Sequence, residues 1–392
     1  MKVPDNLLFS IFQEQDARIR KNLSDKTLEI STGRKYQSIS EDPPATYNVL
    51  ELKKEISQLS QYSKNRLFAD TSLSYIDLNL GKVVDSLNLL YAKTIQAKNQ
   101  TLQPNQLVSI GELFSSTLRS LLDRVNDQLG GNYIFGGASL TQKPFDENTL
   151  NYMASKESFK VWLSDNYKVD ALLRGDETFS INVAISNAKF SNPDTNFTVG
   201  GTLNINVGST NISVSYGTPS TSTLKDLVDF INSNYSNLLS AKVSQNPDGT
   251  YSLMLMPVDV SKDISVSDTS GGDFDTGATD FYSPNVLQAV KRIGDKLSGA
   301  MYPDDSDLML LQRAFERISF RRSQVGSLLS QVKNLQPTQE SLGDNLNKQK
   351  SDIEDADLSQ SIMDYTRYKL AYEALMRIIA DQKDMSILRY LK

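Results

Sequence analysis

The chain has 392 residues, 39% hydrophobic and 22% charged, a globular composition with room for two or three domains. It contains neither cysteine nor histidine, which excludes disulfides, thiolate and imidazole catalysis and the usual zinc, haem and iron–sulfur ligand sets together. The net charge of −6 is uneven: residues 155–283 hold 8 Lys/Arg against 15 Asp/Glu, so nucleic acid is not expected as a partner of that segment.

The opening MKVPDNLLFSIFQEQDARIRK has no apolar h-region and no small-residue cleavage site, and no later stretch reaches the ~20 apolar residues of a membrane span. Neither a cleaved signal nor a membrane is expected. Phe12, Ile19, Leu23 and Ile30 recur at spacings 7, 4, 7, which predicts a helix whose single thin stripe cannot be stable alone. In ISEDPPATYNV, Asp42 can cap and Pro43 suits a first helical turn, so a long helix is expected over about 43–100. Within it Leu73, Ile76, Leu80, Val83, Leu87, Leu90, Thr94 and Ala97 step 3, 4, 3, 4 as a heptad seam, whereas Ser63, Arg66 and Asp70 upstream make it polar. After LQPN, the residues Leu107, Ile110, Phe114, Leu118, Leu121 and Val125 predict an antiparallel neighbour that stops at Gly130-Gly131.

That stop opens LGGNYIFGGASLTQKPF, residues 129–145. A phosphate loop would close its glycines on a helix N-terminus, commonly with Lys then Ser/Thr; here they come after a helix and Lys143 is not beside a glycine, so a structural turn is favoured over a nucleotide site. Gly130, Gly131 and Gly137 read as a hinge, and Tyr133, Ile134 and Phe135 as a plug in the seam between the helical layer and a β domain.

Beyond it the period changes to two. TFSINVAI, TLNINVG, NISVSYG and TYSLMLM predict half-buried antiparallel strands, and NPDG joins LLSAKVSQ to TYSLMLM as a hairpin. One helix interrupts them, with Thr223 as cap and Leu224, Leu227, Val228, Ile231 and Tyr235 on one face. The run SDTSGGDFDTGATD, with Asp268, Asp273, Asp275 and Asp280, could offer oxygens to calcium but lacks the ordered ligand spacing, so a solvated loop is favoured.

The helical period returns with Leu308, Leu311, Phe315, Ile318, Arg322, Val325, Leu329 and Val332, a seam broken only by Arg322; Pro337 is expected to kink or restart that helix. The tail presents Leu358, Ile362, Tyr365, Tyr368, Tyr372, Leu375 and Ile379, extended by Leu388 and Leu391, as the partner that the N-terminal stripe lacks. The fold class is therefore α+β: a long coiled-coil-like helical bundle formed by both chain ends, with an inserted antiparallel β-rich outer domain. The expected division is terminal helices 1–42 and 340–392, a helical body 43–145 and 284–339, and an insert 146–283. No catalytic, cofactor or metal constellation is found, and paired carboxylates such as Asp304-Asp305 fit helix starts. Apolar end stripes with little chain to cover them point to assembly.

Two motifs carry a family resemblance. LEISTGRKYQSISEDPPATYNVLELKKEISQL, through Ser31, Thr32, Gly33, Arg34, Asp42 and Pro43, resembles the N-terminal signature of the bacterial flagellin superfamily. SDIEDADLSQSIMDYTRYKLAYEALMRIIADQKDMSILRYL, through Ile353, Glu354, Asp355, Ala356 and Asp357, is similar to its C-terminal signature. Asn132, Tyr133, Ile134, Phe135, Gly136 and Gly137 with Pro144-Phe145 resemble the hook-associated protein 3 branch, and Ile231-Asn232 the "IN" motif of outer domains. The resemblance implies a non-enzymatic adaptor at the hook-filament junction. Its implied partners are hook-associated protein 1, flagellin, further copies of itself in a ring, and a flagellar export chaperone; no nucleic acid, membrane, small-molecule substrate or cofactor is implied. It also implies an extracellular place on the flagellum, reached through the flagellar type III apparatus, a route that the lack of cysteine suits. The alternatives are a filament-forming flagellin and, in another class, a ligand-binding or enzymatic β domain.

Overall fold

The computed structural model describes residues 5–36, 40–99, 102–277 and 279–385. Three helices come first, α1 (Asp5–Thr32), α2 (Pro43–Lys98) and α3 (Pro104–Val125), then the short strands β1 (Gln128–Leu129) and β2 (Asn132–Tyr133). Next come a hairpin of β3 (Phe159–Ser164) and β4 (Tyr167–Leu172), a turn of helix α4 (Gly175–Thr178), and β5 (Ala184–Ser186), β6 (Gly201–Val207) and β7 (Thr210–Tyr216). Helix α5 (Leu224–Asn234), strands β8 (Leu239–Gln245), β9 (Tyr251–Pro257), β10 (Ile264–Asp268) and β11 (Phe281–Tyr282), and helices α6 (Val286–Ser298), α7 (Asp305–Glu354) and α8 (Leu358–Met385) follow. The fold is α+β, with antiparallel strands inserted between helical halves. Two compact units are present, one of residues 1–63 with 336–392 and one of residues 64–335; the divisions fall inside α2 and α7.

In the second unit the heptad seam of α2 is buried throughout, from Leu73 to Ala97, with Thr94 returning its hydroxyl to the Leu90 carbonyl at 2.8 Å. The segments of α2 and α7 in this unit run antiparallel. Arg322, the odd residue of the α7 seam, reaches across to Asp77 with bonds of 2.9 and 3.3 Å, and its guanidinium lies close over Gly81, 3.3 Å from where a Cβ there would stand. The seam break is thus an ion pair seated on a glycine. Helices α3 and α6 approach still more closely: a Cβ on Gly111 would stand 2.7 Å from the Ser298 main-chain nitrogen, and one on Gly294 3.0 Å from Phe114. Helix α6 is not among the predicted elements, although its Asn285/Gln288 capping box and buried Val286, Val290, Ile293 and Leu297 carry a helical signal.

The strands form a three-stranded sheet ordered β10-β6-β7, a four-stranded sheet ordered β11-β5-β9-β8, and two hairpins. Strand β9 is not half-buried as its alternation suggested. Leu253 and Leu255 face the core of the insert while Met254 and Met256 join the helical core, so the four-stranded sheet is covered on both faces. TFSINVAI also departs from expectation: Phe179, Ile181, Val183 and Ile185 are all fully buried, but only residues 184–186 form a strand. Asn182 breaks the ladder at φ +50°, its amide donating to the Lys262 carbonyl and Asp263. Apolar residues from Phe145 to Val183 pack with the helices, whereas a second cluster gathers β6, β7, α5, β8 and Phe274.

Pro337 neither ends nor restarts α7, which runs through it. The residue is exposed, so water can satisfy the carbonyl whose helical N–H partner the proline ring removes.

Candidate assembly interface

In the first unit α1 and α8 lie antiparallel. The Arg20 guanidinium sits over the Tyr372 ring at 5.5 Å, Lys26 Nζ lies 3.9 Å from Asp364, and the Ser361 hydroxyl donates to Glu29 at 2.8 Å. Phe12, Ile19, Leu23 and Ile30 are half-buried on α1, as are Tyr365, Tyr368, Tyr372 and Ile379 on α8, with Leu375 the most covered at 9% exposure. Leu358 and Ile362 do not share that burial; they are 47% and 52% exposed. Leu388 and Leu391 lie outside the described residues. Sequence periodicity missed a second, outward apolar set, Leu7, Phe9, Ile11 and Leu28 on α1 and Met363, Leu370, Met376 and Ile378 on α8, all exposed by 40% or more. Its signal was present as apolar residues off the main stripe, which a one-face reading discards.

The two family signatures meet at the base of this pair. Gly33 ends α1 at φ +68°, its N–H bonding the Glu29 carbonyl at 2.9 Å, a left-handed cap that favours glycine. The chain then bridges to the end of α7: Lys35 N–H donates to the Glu354 carbonyl at 2.8 Å, Ala356 N–H to the Gly33 carbonyl at 3.0 Å, and Arg34 pairs with Asp355 as a β-bridge. The Glu354 carboxylate, 10% exposed, gathers Lys53 at 2.7 Å, Arg34 at 3.3 Å and Lys350 at 3.8 Å. Asp42 caps α2 through the Ala45 N–H at 3.0 Å with Pro43 at the first position, and Asp357 caps α8 through the Gln360 N–H at 3.0 Å. Ile353 is half-buried between them in sequence. Gly33, Arg34, Asp42, Pro43, Glu354, Asp355, Ala356 and Asp357 thus each stop, start or fasten a helix, and the clasp joins segments more than 300 residues apart.

The glycines of 130–137 lie in the second unit and correct the sequence reading. Helix α3 stops at Val125; Gly130 and Gly131, at φ +59° and +85°, are the two-residue turn of the β1–β2 hairpin, not the end of the helix. Gly136 and Gly137 are packed against main chain: a Cβ on either would meet a carbonyl oxygen at 2.5 and 2.4 Å. The segment is stitched on both sides, Gly137 N–H to the Leu173 carbonyl at 3.0 Å and Gly175 N–H to the Phe135 carbonyl at 2.9 Å. Ile134 and Phe135 are fully buried, Phe135 edge-on to Phe179 with centroids 4.8 Å apart, and Tyr133 is half-buried.

The insert is fastened to the helices by buried charge. Lys296, fully buried, holds Asp307 at 2.5 Å and Asp304 at 3.3 Å; burial pushes the Asp307 carboxyl up against the pull of that ammonium. Asp304 also accepts the Gln245 N–H at 3.1 Å, while Arg292 donates to the Gln245 carbonyl at 2.9 Å. One turn apart on α7, Arg313 donates to the Pro257 carbonyl and Arg317 to that of Val260 at 2.9 Å. The "IN" motif has a structural task. Ile231 is fully buried, and the Asn232 amide pairs with β8 as a strand would, donating to the Ala241 carbonyl at 2.9 Å and accepting its N–H at 2.8 Å. The carboxylates of the acidic run accept neighbouring main-chain N–H groups: Asp273 those of Thr198 and Val199, Asp275 that of Gly277, Asp280 that of Asp268. Among the described residues no helix is long and apolar enough to cross a membrane, and no cluster of His, Cys, Asp and Glu could hold a metal ion.

Residues 5–139 match the bacterial flagellin N-terminal helical region and residues 308–391 its C-terminal helical region. The flagellar hook-associated protein 3 of Escherichia coli is 28% identical over 167 residues, which are 42% of this chain and 52% of that protein; the Salmonella typhimurium protein of the same name is 29% identical over 131 residues, 33% and 41%. The aligned part spans about half the length of these relatives or less. The crystal structure of flagellar hook associated protein-3 from Legionella pneumophila shares the fold, with a TM-score of 0.51 and 18% identity over 77% of this chain and 97% of that one. With the two helical regions together covering more than half of its residues, the chain belongs to the bacterial flagellin family.

Proposed function

We propose that this chain is a structural, non-enzymatic adaptor at the hook-filament junction, placed on the outside of the cell after export through the flagellar type III apparatus with an export chaperone. Copies associate in a ring through their α1/α8 pairs, with hook-associated protein 1 on one side and flagellin on the other. The observation that carries the reading is the clasp of residues 33–35 on residues 354–356, which sets α1 and α8 together while Leu7, Phe9, Ile362 and Leu370 keep apolar surface outward. Neighbours that cover those side chains would stabilise the pair, so ordering of the ends is coupled to assembly. Leu388, at the tail, belongs to the same proposed contact.

The functional division we propose is terminal assembly helices, a helical body, and an insert displayed outward. Phe145 to Val183 pack with the helices, which favours moving the body's limit toward Val183. We read Gly130, Gly131 and Gly137 as part of a fixed seam rather than a pivot, because the buried Ile134 and Phe135 lie between them. A flagellin, the filament subunit itself, is the alternative; similarity to two proteins named flagellar hook-associated protein 3 supports the junction. Electron microscopy of cells lacking this gene tests it. Hooks without filaments, with flagellin released into the medium, are expected, and normal filaments would overturn the reading.

A further inference from the structure

The two sheets of the insert treat their edges differently. On β8 the outward main-chain groups of Ala241 are taken by Asn232, and those of Gln245 by Asp304 and Arg292. Strand β7 is the other kind of edge. The Val207↔Thr210 pair closes a two-residue hairpin, so Thr210, Ile212, Val214 and Tyr216 bond β6, and the N–H and C=O groups of Asn211, Ser213 and Ser215 point away from it. Thr221 covers the Ser215 carbonyl with its hydroxyl at 3.1 Å. Among the described residues no hydrogen bond reaches the outward main-chain groups of Asn211 and Ser213, and both residues are exposed.

This edge lacks the devices that keep strands apart. No proline, bulge or charge interrupts it: β6 and β7 pair in unbroken register, and residues 195–224 carry no Asp, Glu, Lys or Arg, in a segment whose net charge is negative. The outward face continues across the sheet as Thr202, Asn204, Asn206, Ser213, Ser215 and Ser265, with Ser213 donating to Asn204 at 3.1 Å. A charged peptide finds nothing to pair with there. A second copy of the same neutral edge meets no like charge and repeats the Asn–Ser cross-strand pair already formed between β6 and β7.

We propose that β7 is a docking edge for β7 of a second copy, paired antiparallel about a twofold axis at Ile212, with Asn211 of one copy opposite Ser213 of the other. The contact is independent of the α1/α8 pair and links inserts rather than ring neighbours.

The absence of cysteine makes the test direct. Full-length Asn211→Cys and Ser213→Cys variants each carry a single thiol. Opposed residues in such a pair have Cα atoms ~5.5 Å apart, inside the ~7 Å reach of a disulfide, whereas 211 to 211 is a diagonal of about 7–8 Å. Mild oxidation of an equimolar mixture is expected to yield covalent dimer several-fold above either variant alone. Equal yields in all three samples would overturn the proposal. Sedimentation velocity gives the second arm: Asn211→Lys/Ser213→Lys sets lysines against each other and is expected to remove concentration-dependent dimers at an unchanged melting temperature. Dimers that persist in this variant would place association elsewhere, and a wild-type chain that stays monomeric would contradict the contact outright.

Discussion

Truncating Leu375 to alanine tests how the terminal helices are held. The side chain is 9% exposed in a seam whose other members, Ile19, Leu23, Tyr368 and Tyr372, are only half-buried, so it is the seam's most covered apolar group. Leu→Ala in a core costs about 2–5 kcal/mol, and the lower end applies where a surface seam can close over the gap. A loss of ~2 kcal/mol raises the opened population of the α1/α8 pair about 30-fold. When opening and closing are fast, proteolysis follows that population, so cleavage within 5–32 and 358–385 is expected to accelerate by about the same factor. The readout is limited proteolysis of the monomer at low enzyme, with the thermal transition of residues 64–335 as the internal standard. Unchanged cleavage would refute the claim that this seam orders the ends; the main transition is expected to stay in place.

Four further outcomes concern the body and insert. Asn232→Leu removes two hydrogen bonds to Ala241 and is expected to cost ~2 kcal/mol, seen as faster hydrogen exchange along β8; unchanged protection at Ala241 would contradict the edge-blocking role. Gly111→Ala gains up to ~1 kcal/mol of helix propensity but places a Cβ 2.7 Å from the Ser298 nitrogen, where overpacking costs roughly 1–3 kcal/mol, so the melting temperature should fall. Gly326→Ala, with open space around it, should raise it. Burial pushes the Tyr152 hydroxyl up to about 12 while it donates to the Ser155 carbonyl at 2.7 Å. The unfolded state releases this proton near pH 10 and the folded state later, so the stability contribution is full below about pH 10 and is lost as pH rises toward 12. Tyr152→Phe is expected to flatten the alkaline slope of melting temperature between those values, and an identical slope would refute the assignment.

The sequence was most informative where one periodicity met one buried face. The seam from Leu73 to Ala97 is buried at every position and the hairpin at NPDG stands as expected, whereas in the C-terminal stripe Leu358 and Ile362 are exposed. Reading became harder where side chains served two neighbours or where backbone geometry decided. Strand β9 is apolar on both faces because it separates two cores, which alternation alone cannot express. The β3–β4 hairpin went unseen because register shifts and interleaved Lys160, Lys168 and Asp170 blur its period. Gly130-Gly131 fits a helix stop and a hairpin turn equally well, since both require positive φ. The clasp was legible as two motifs but not as one contact: nothing in the spacing of Arg34 and Glu354 says that a carboxylate there gathers three cations. Lys296 lies on α6, a helix absent from the predicted elements, and only its burial beside Asp304 and Asp307 reveals the fastening of the insert.

Position on the flagellum separates an adaptor from a filament subunit. An antibody raised against the loop at residues 217–220 and bound to intact flagella is to be located by immunogold electron microscopy. A single narrow band where hook meets filament is expected. Label running along the filament would contradict it and assign the chain to the filament itself.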